Sequence, residues 1–346
     1  MCQSSGVRLP RRQTLLLGLG LGLAVGTRSR SARAEESAAS AAARWIAGMA
    51  PAPGVLPSAE WTAYARTEDA RWEKEVPRIK AMQEWSAREL SPLLPADRPV
   101  FYPFAGPDAL HAIALFGGAP RLLLVGLEPV GTLPDSGRTP ARYFERLGAA
   151  LADVHRLTFF RTHAMSTDFQ RDGVIGALVA IVARMGGPVT AVETSASPAS
   201  ARIEWMPAAG VARRLDYVLA DLANAGWKAN APLVQTVHAL APYVAFVKAA
   251  SYLLPEPRFS AARQALLADA AVLVQDDTGV PFDKLGDRWA MRFFGHYEAP
   301  GSPFEDKEQP ELRAAFERRA RSPLPFGLGY HIEAKRSNLL VAVKSP

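Results

Sequence analysis

Residues 100–127 constrain the fold of this chain more than any other stretch. Residues 100–104 are a short apolar and aromatic run, Ala105-Gly106-Pro107 breaks it, residues 108–116 carry helical spacing, and residues 121–127 are almost continuously apolar. Strand, turn, helix and strand follow one another in about 30 residues, the size of one βαβ unit. A strand apolar on both faces is buried on both, so the run LLLV at 122–125 predicts a parallel sheet between two helix layers. The expected fold class is therefore α/β: a mixed, largely parallel, Rossmann-like sheet between helix layers, with antiparallel strands at the C-terminal end.

The rest of the chain is read around that unit. Ser58 is placed to cap a helix running to about residue 90, with Trp72, Val76, Ile79, Met82 and Leu90 at helical spacing and a kink at Pro77. Helices are expected near 140–160, 172–185, 232–253, 260–270 and 309–320. Strands are expected at 189–193, 271–275, 289–294 and 339–344, and a hairpin pairs 202–206 with 213–219 around Ala209-Gly210. No internal repeat is present, and no second linker interrupts the later residues, so 58–346 is expected to be a single α/β domain. Residues 35–57, rich in Ala, Ser and Pro, read as a tether that need not pack.

The first 34 residues read as an export signal. Arg8, Arg11 and Arg12 precede an uncharged run from Thr14 to Thr27, and Ala32-Arg33-Ala34 follows as a small-x-small cleavage site before Glu35. The Arg11-Arg12 pair, Leu15 and a core punctuated by Gly18, Gly20 and Gly22 resemble the twin-arginine signal, with Thr14 where that pattern usually has Phe. The apolar run 15–25 is about half of what a spanning helix needs, so no stable membrane anchor is expected after cleavage. The expected location is periplasmic or secreted, with the export machinery as the partner of the signal.

Charge is read with that segment set aside. Six of the 40 Lys and Arg lie in residues 1–34, so the remaining 34 balance the 34 Asp and Glu, all of which lie beyond residue 34. A chain with no net basic excess and no Lys/Arg block has no electrostatic footprint for nucleic acid, and no nucleic-acid partner is expected. The single cysteine, Cys2, belongs to the signal, so residues 35–346 hold no disulfide, thiolate nucleophile or Cys-ligated metal. Gly-x-Ser-x-Gly, Walker A and Gly-x-Gly-x-x-Gly patterns are missing there, and the six histidines show no metal spacing, so no metal residues are assigned.

Ligands of open α/β sheets bind outside the carboxyl ends of the strands, so the polar turns after apolar runs are the candidate site. The first is Tyr102-Pro103-Phe104-Ala105-Gly106-Pro107-Asp108, with Pro107 suited to the first helical position, Asp108 in the first turn and His111 one turn on. Asp108 serves either a ligand or only the helix dipole, and His111 is either functional or a packed core histidine. Glu128 ends the second strand about 22 residues after Gly106, where a nucleoside-binding fold holds ribose hydroxyls. Asp276-Asp277-Thr278-Gly279 follows the strand 271–275. Asp277-Thr278-Gly279 has the form of an aspartic-protease motif, but no second copy exists and Gln275-Asp276 precede it instead of apolar residues. Asp108, Glu128 and Asp277 are expected to share one crevice, where they can hold a small polar ligand or a hard cation. Lys248, Ser251 and Tyr252 read as boundary residues of an apolar helix, and His296-Tyr297 and Tyr330-His331 as cleft lining or strand flanks.

Two resemblances add to this. Pro103 to Gly106 with Glu128 after the next strand resembles the cofactor-binding start of class I S-adenosylmethionine methyltransferases, whose amino-methylating members carry a Pro-Phe-Ala-Gly turn; Pro107 and Asp108 replace that family's following small residue and second glycine. The resemblance implies S-adenosylmethionine as cofactor. The segments YPFAGPDAL, LVGLEPVG, FVKAASYLL, VQDDTGVPF and LPFGLGY are similar to those of an uncharacterised family of exported bacterial proteins, which implies no mechanism. The expectation is an exported α/β protein of unnamed activity with a crevice formed by Tyr102, Phe104, Gly106, Asp108, His111, Glu128, Asp276 and Asp277. The alternatives are a methyltransferase-like fold, catalytic or not, and a structural or envelope-interaction protein.

Overall fold

The computed structural model describes residues 37–94, 97–156 and 166–345, so the expected export signal lies outside the described residues. Ten strands form one sheet there, in the order β3-β4-β5-β2-β1-β6-β7-β10-β8-β9. The βαβ unit stands where its sequence put it: β1 (Val100–Tyr102), α3 (Ala109–Phe116) and β2 (Arg121–Gly126), with β1 and β2 parallel and Phe101 opposite Leu123.

The N-terminal helices cover one face of the sheet. Residues 35–57 were read as a tether that need not pack, yet part of them does: α1 (Ala38–Ile46) is capped by Ser37 and buries Ala43, Trp45 and Ile46. The alanine run looked like linker, but Trp45 and Ile46 supply the apolar area that docks it. α2 (Ala59–Trp85) starts on the Ser58 cap, keeps Pro77 inside, and ends in a π-helical turn over Ser86–Leu90. Trp85 is buried edge-on against Phe294, with ring centroids 5.0 Å apart. After β2 come α4 (Tyr143–Arg156), α5 (Ser166–Asp172) and α6 (Ile175–Met185).

The hairpin expected at 202–219 is part of a three-stranded antiparallel excursion, β3 (Val189–Ala196), β4 (Ala199–Trp205) and β5 (Arg213–Leu219), whose last strand lies parallel to β2. α7 (Asn224–Ala229) and α8 (Ala231–Leu240) follow. The helix expected over 232–253 ends at Leu240, and Tyr243–Val247 is instead the buried parallel strand β6, paired with β1. A five-residue apolar run fits a buried helix and a buried strand equally well by periodicity, and the Ala241-Pro242 break is what separates them. α9 (Ser260–Asp269), β7 (Ala270–Gln275), β8 (Trp289–Gly295), α10 (Pro310–Arg318), β9 (Arg321–Ser322) and β10 (Asn338–Lys344) complete the chain. β10 inserts antiparallel between β7 and β8.

The alternation of the parallel strands explains the two layers. Val100, Tyr102, Leu122 and Leu124 pack toward α1 to α4 and α6, while Phe101, Leu123 and Val125 pack toward α7 to α10. The chain runs outward from β1 through β2 to β5, then returns to the other side of β1 as β6. That reversal is a topological switch point, which leaves a crevice outside the carboxyl ends of β1 and β6. No described helix is long and apolar enough to cross a membrane.

One buried histidine makes the fold acid-sensitive. His155 on α4 packs edge-on against Trp72, ring centroids 4.7 Å apart, and neither ring nitrogen has a hydrogen-bond partner among the described residues. Burial pushes its pKa down to about 3, and Arg71 and Arg78 of α2, Arg184 of α6 and His111 of α3 push the same way. The unfolded chain takes up this proton near pH 6.5 and the folded chain does not, so stability is complete above that pH and is lost as pH falls toward 3. Between pH 7 and pH 5 the term amounts to about 2 kcal/mol. Urea unfolding at the two pH values is expected to show wild type losing about 2 kcal/mol relative to His155→Phe. Equal pH dependence in the two proteins removes the buried neutral histidine as the cause.

Candidate functional site

The cleft at the switch point is lined by the ends of four adjacent parallel strands. Tyr102, Phe104 and Gly106 come from β1 and its turn, Gly126, Leu127 and Glu128 from β2, Asp221 and Leu222 from the end of β5, and Lys248 to Ser251 from the end of β6. Leu253 and Phe259 close the apolar side, and the cavity itself measures about 110 Å³.

The β1 turn is held open by backbone. Phe104 and Gly106 both have left-handed φ, +57° and +52°, and the Ala105 and Gly106 amides donate to the Val125 carbonyl at 2.8 and 3.3 Å. Gly126 faces this turn so closely that a Cβ on it would stand 2.8 Å from the Gly106 Cα and 2.6 Å from Glu128 Oε2. Gly126 is therefore required by the close approach of two backbones and Gly106 by its left-handed φ. Glu128 is buried beside them. Its Oε2 accepts from the Leu127 amide at 3.1 Å and from the Tyr217 hydroxyl at 3.3 Å. Burial raises the Glu128 pKa, and those donors oppose the rise.

Behind the cleft lies a buried ion pair that sequence reading missed. Asp108 caps α3; the helix begins at Ala109, so Pro107 precedes the cap and is not the first helical residue as expected. Asp108 Oδ2 lies 2.8 Å from Lys248 Nζ and accepts from the Tyr102 hydroxyl at 2.8 Å, while Oδ1 accepts from His111 Nδ1 at 2.8 Å. Burial pushes His111 down to about 4; Asp108 resists this, and Lys248 and Arg78 reinforce it. His111 is thus neutral at pH 7, donating from Nδ1 with Nε2 toward Arg78. Burial alone would raise the Asp108 carboxyl, but His111 and Lys248 hold it well below the usual range. With His111 neutral, Lys248 supplies the charge.

The loop after β6 carries the tightest backbone in the site. Ala249, Ser251 and Tyr252 all have positive φ, +47° to +52°. Each is disfavoured for a residue with a Cβ, and such conformations persist only where the surroundings enforce them. The Asp276-Asp277-Thr278 turn does the enforcing. Asp276 Oδ2 accepts from the Ala249 amide at 2.8 Å, Thr278 Oγ1 from the Ala250 amide at 2.8 Å, and Asp277 Oδ2 from the Tyr252 hydroxyl. Asp277 Oδ1 also accepts from Asn338 at 3.1 Å. Burial, then the neighbouring Asp277, push Asp276 up to about 7.

The eight residues named from sequence therefore fall into two groups. Tyr102, Phe104, Gly106 and Glu128 line the cleft. Asp108 and His111 brace it through Lys248, and Asp276 and Asp277 brace it through the 249–252 loop. Among the described residues no three His, Cys, Asp or Glu side chains gather as metal ligands, so Asp108, Glu128 and Asp277 do not form the cation cluster entertained above. Asp221, Lys248, Ser251 and Phe259 were missed as site residues. Lys248 and Ser251 were assigned to a helix, and β5 was read only as a hairpin partner, so its carboxyl end was never considered; the polar residues just after both apolar runs were the available signal. Comparison of the chain with protein-family models, curated proteins and solved structures finds no match.

Proposed function

We propose that the cleft is a nucleoside site of the kind the methyltransferase resemblance implies, in a protein that acts outside the cytoplasm. The carrying observation is Glu128: a buried carboxylate at the carboxyl end of β2, beside the Gly106–Gly126 approach and next to the switch point, is suited to accept both hydroxyls of a ribose. Asp221, one strand over, offers an acceptor to an exocyclic amine, and Leu222, Leu253 and Phe259 offer apolar walls to a base.

The charge of the lining narrows the ligand. Glu128 and Asp221 face the cleft, and Lys248, the one cation that lines it among the described residues, is already paired with Asp108. Such a site repels nucleotide phosphates and accepts a neutral nucleoside or a cationic sulfonium. The adenosine part of S-adenosylmethionine fits these residues. The methionine part does not fit in the same way, because the Asp108–Lys248 pair stands where the family's second glycine leaves room. Export by the twin-arginine route, which residues 8–34 support, would deliver the protein folded and with a ligand already bound.

Thermal unfolding tests the reading. Adenosine, S-adenosylmethionine or its demethylated product at millimolar concentration is expected to raise the melting temperature, and ATP is not. A ligand at 100 times its dissociation constant contributes about 2.7 kcal/mol, and Glu128→Ala is expected to abolish the shift. Unchanged melting with all three nucleosides rejects the site and leaves the purely structural reading.

A further inference from the structure

A larger cavity opens at the opposite edge of the sheet, at the amino ends of the parallel strands. Val100 of β1 lies beside Val244 of β6 on its floor, and the C-terminal half of α3 and the π-helical turn after α2 form its walls. Leu94, Ile113, Leu115 and Phe116 make this lining continuous with the core layer on that face of the sheet. The volume is about 460 Å³, within the range of small-ligand sites. No lining residue is shared with the nucleoside cleft.

Two arginines line this apolar cavity, Arg98 just before β1 and Arg213 at the start of β5. Elsewhere in the sheet arginines are neutralised: Arg121, Arg202 and Arg214, on three different strands, all pair with the buried Asp216. Arg98 and Arg213 have no carboxylate partner among the described residues, and no described Asp or Glu lines the cavity. The Nε of each is buried without a hydrogen-bond partner there. Arg98 Nη1 donates to the Pro242 carbonyl at 2.8 Å, and Arg213 has no such tether among the described residues. Ser86 is already spent on the Leu115 carbonyl, and Gln83 and Ser91 form an exposed rim. The C-terminal end of α3 brings a partial negative charge of about half a unit, which offsets about a quarter of the two guanidinium charges. The balance is an apolar cavity with a net positive field.

We propose that this cavity binds an aliphatic carboxylate of the fatty-acid kind, its head at Arg213 and Arg98 and its chain against Leu94, Ile113, Phe116 and Val244. A guanidinium matches a carboxylate in fork geometry, and Arg213, which no protein group holds, is the main contact. Arg98, anchored at Pro242, adds to the field. The apolar lining selects a chain over a bare anion, since each further methylene removed from water is worth about fourfold in affinity. The positive field selects against a cation carrying the same chain. The site is independent of the nucleoside reading, because the two lie at opposite edges of the sheet.

Calorimetric titration of the intact protein near neutral pH with octanoate, acetate and octyltrimethylammonium, at constant ionic strength set by chloride, tests this. Octanoate is expected to bind at millimolar concentration or below, acetate at least about tenfold more weakly, and the cation with the same chain not at all. Arg213→Gln is expected to weaken octanoate binding by about tenfold, the loss of one charge-assisted contact. Should that variant fail to fold, Arg98→Gln is expected to weaken binding in the same way. Glu128→Ala is expected to leave octanoate binding intact, which separates this cavity from the nucleoside cleft. Failure of octanoate to bind at millimolar concentration overturns the proposal, as does equal binding of acetate or of the cation. Undiminished binding in a folded Arg213→Gln or Arg98→Gln protein, or loss of octanoate binding in Glu128→Ala, overturns it too.

Discussion

Lys248→Met is expected to cost about 3–5 kcal/mol of folding stability, because it strands the Asp108 carboxylate inside the protein without its counter-charge. Lys248 and Asp108 are both almost fully buried, 2.8 Å apart, and the carboxylate keeps only the Tyr102 hydroxyl and the His111 donors when the ammonium is gone. Removing both charges together is a different experiment. Asp108→Asn combined with Lys248→Met leaves no uncompensated ion, and most of the lost stability is expected to return. Urea unfolding of the wild type, both single variants and the double variant closes the cycle. Additive losses would show that the two side chains do not interact across the 140 residues between them.

The second large effect is expected at the crossing that positions the loop after Glu128. Gly131 and Gly173 both have φ of +72°, and their backbones meet: a Cβ on Gly131 would lie 2.0 Å from the Asp172 carbonyl oxygen, and one on Gly173 would lie 2.3 Å from the Gly131 Cα. The Val174 and Ile175 amides donate to the carbonyls of Pro129 and Val130 at 2.9 and 3.0 Å, so the loop is stitched to the start of α6. Gly131→Ala combines left-handed strain with overpacking against backbone that cannot rotate away, about 2–5 kcal/mol in total. Calorimetric melting is expected to show that loss. It is also expected to weaken nucleoside binding, because Glu128 stands three residues upstream of the displaced segment. A melting temperature equal to wild type would mean that the two backbones part easily.

Both effects lie at sites that sequence reading reached only partly, and the particular residues show why. The unit β1, α3, β2 was legible almost to the residue because VFY and RLLLVG are buried on both faces, and an apolar run buried on both faces has few other places to be. Glu128 was legible because it interrupts such a run at the spacing of a ribose-binding acid. YVAFV was hidden because Leu233, Val237 and Leu240 precede it at helical spacing and the strand continues their apolar character without a change of composition. Asp276, Asp277 and Thr278 were visible as a polar turn, but not as the clamp on Ala249, Ala250 and Tyr252.

The local code of the chain therefore determined the α/β class, the parallel centre of the sheet, the helix cap at Ser58, and the strand ends at which a ligand could sit. Each depends on side-chain periodicity and on hydrogen bonds between residues close in sequence, which are written locally. Tertiary structure alone decided that α1 docks, that β10 inserts between β7 and β8, that Lys248 meets Asp108, and that three arginines from different strands share Asp216. Those outcomes depend on which strands become neighbours. An isolated Lys in an apolar run or an Asp in a strand carries no mark of the opposite charge that will desolvate beside it.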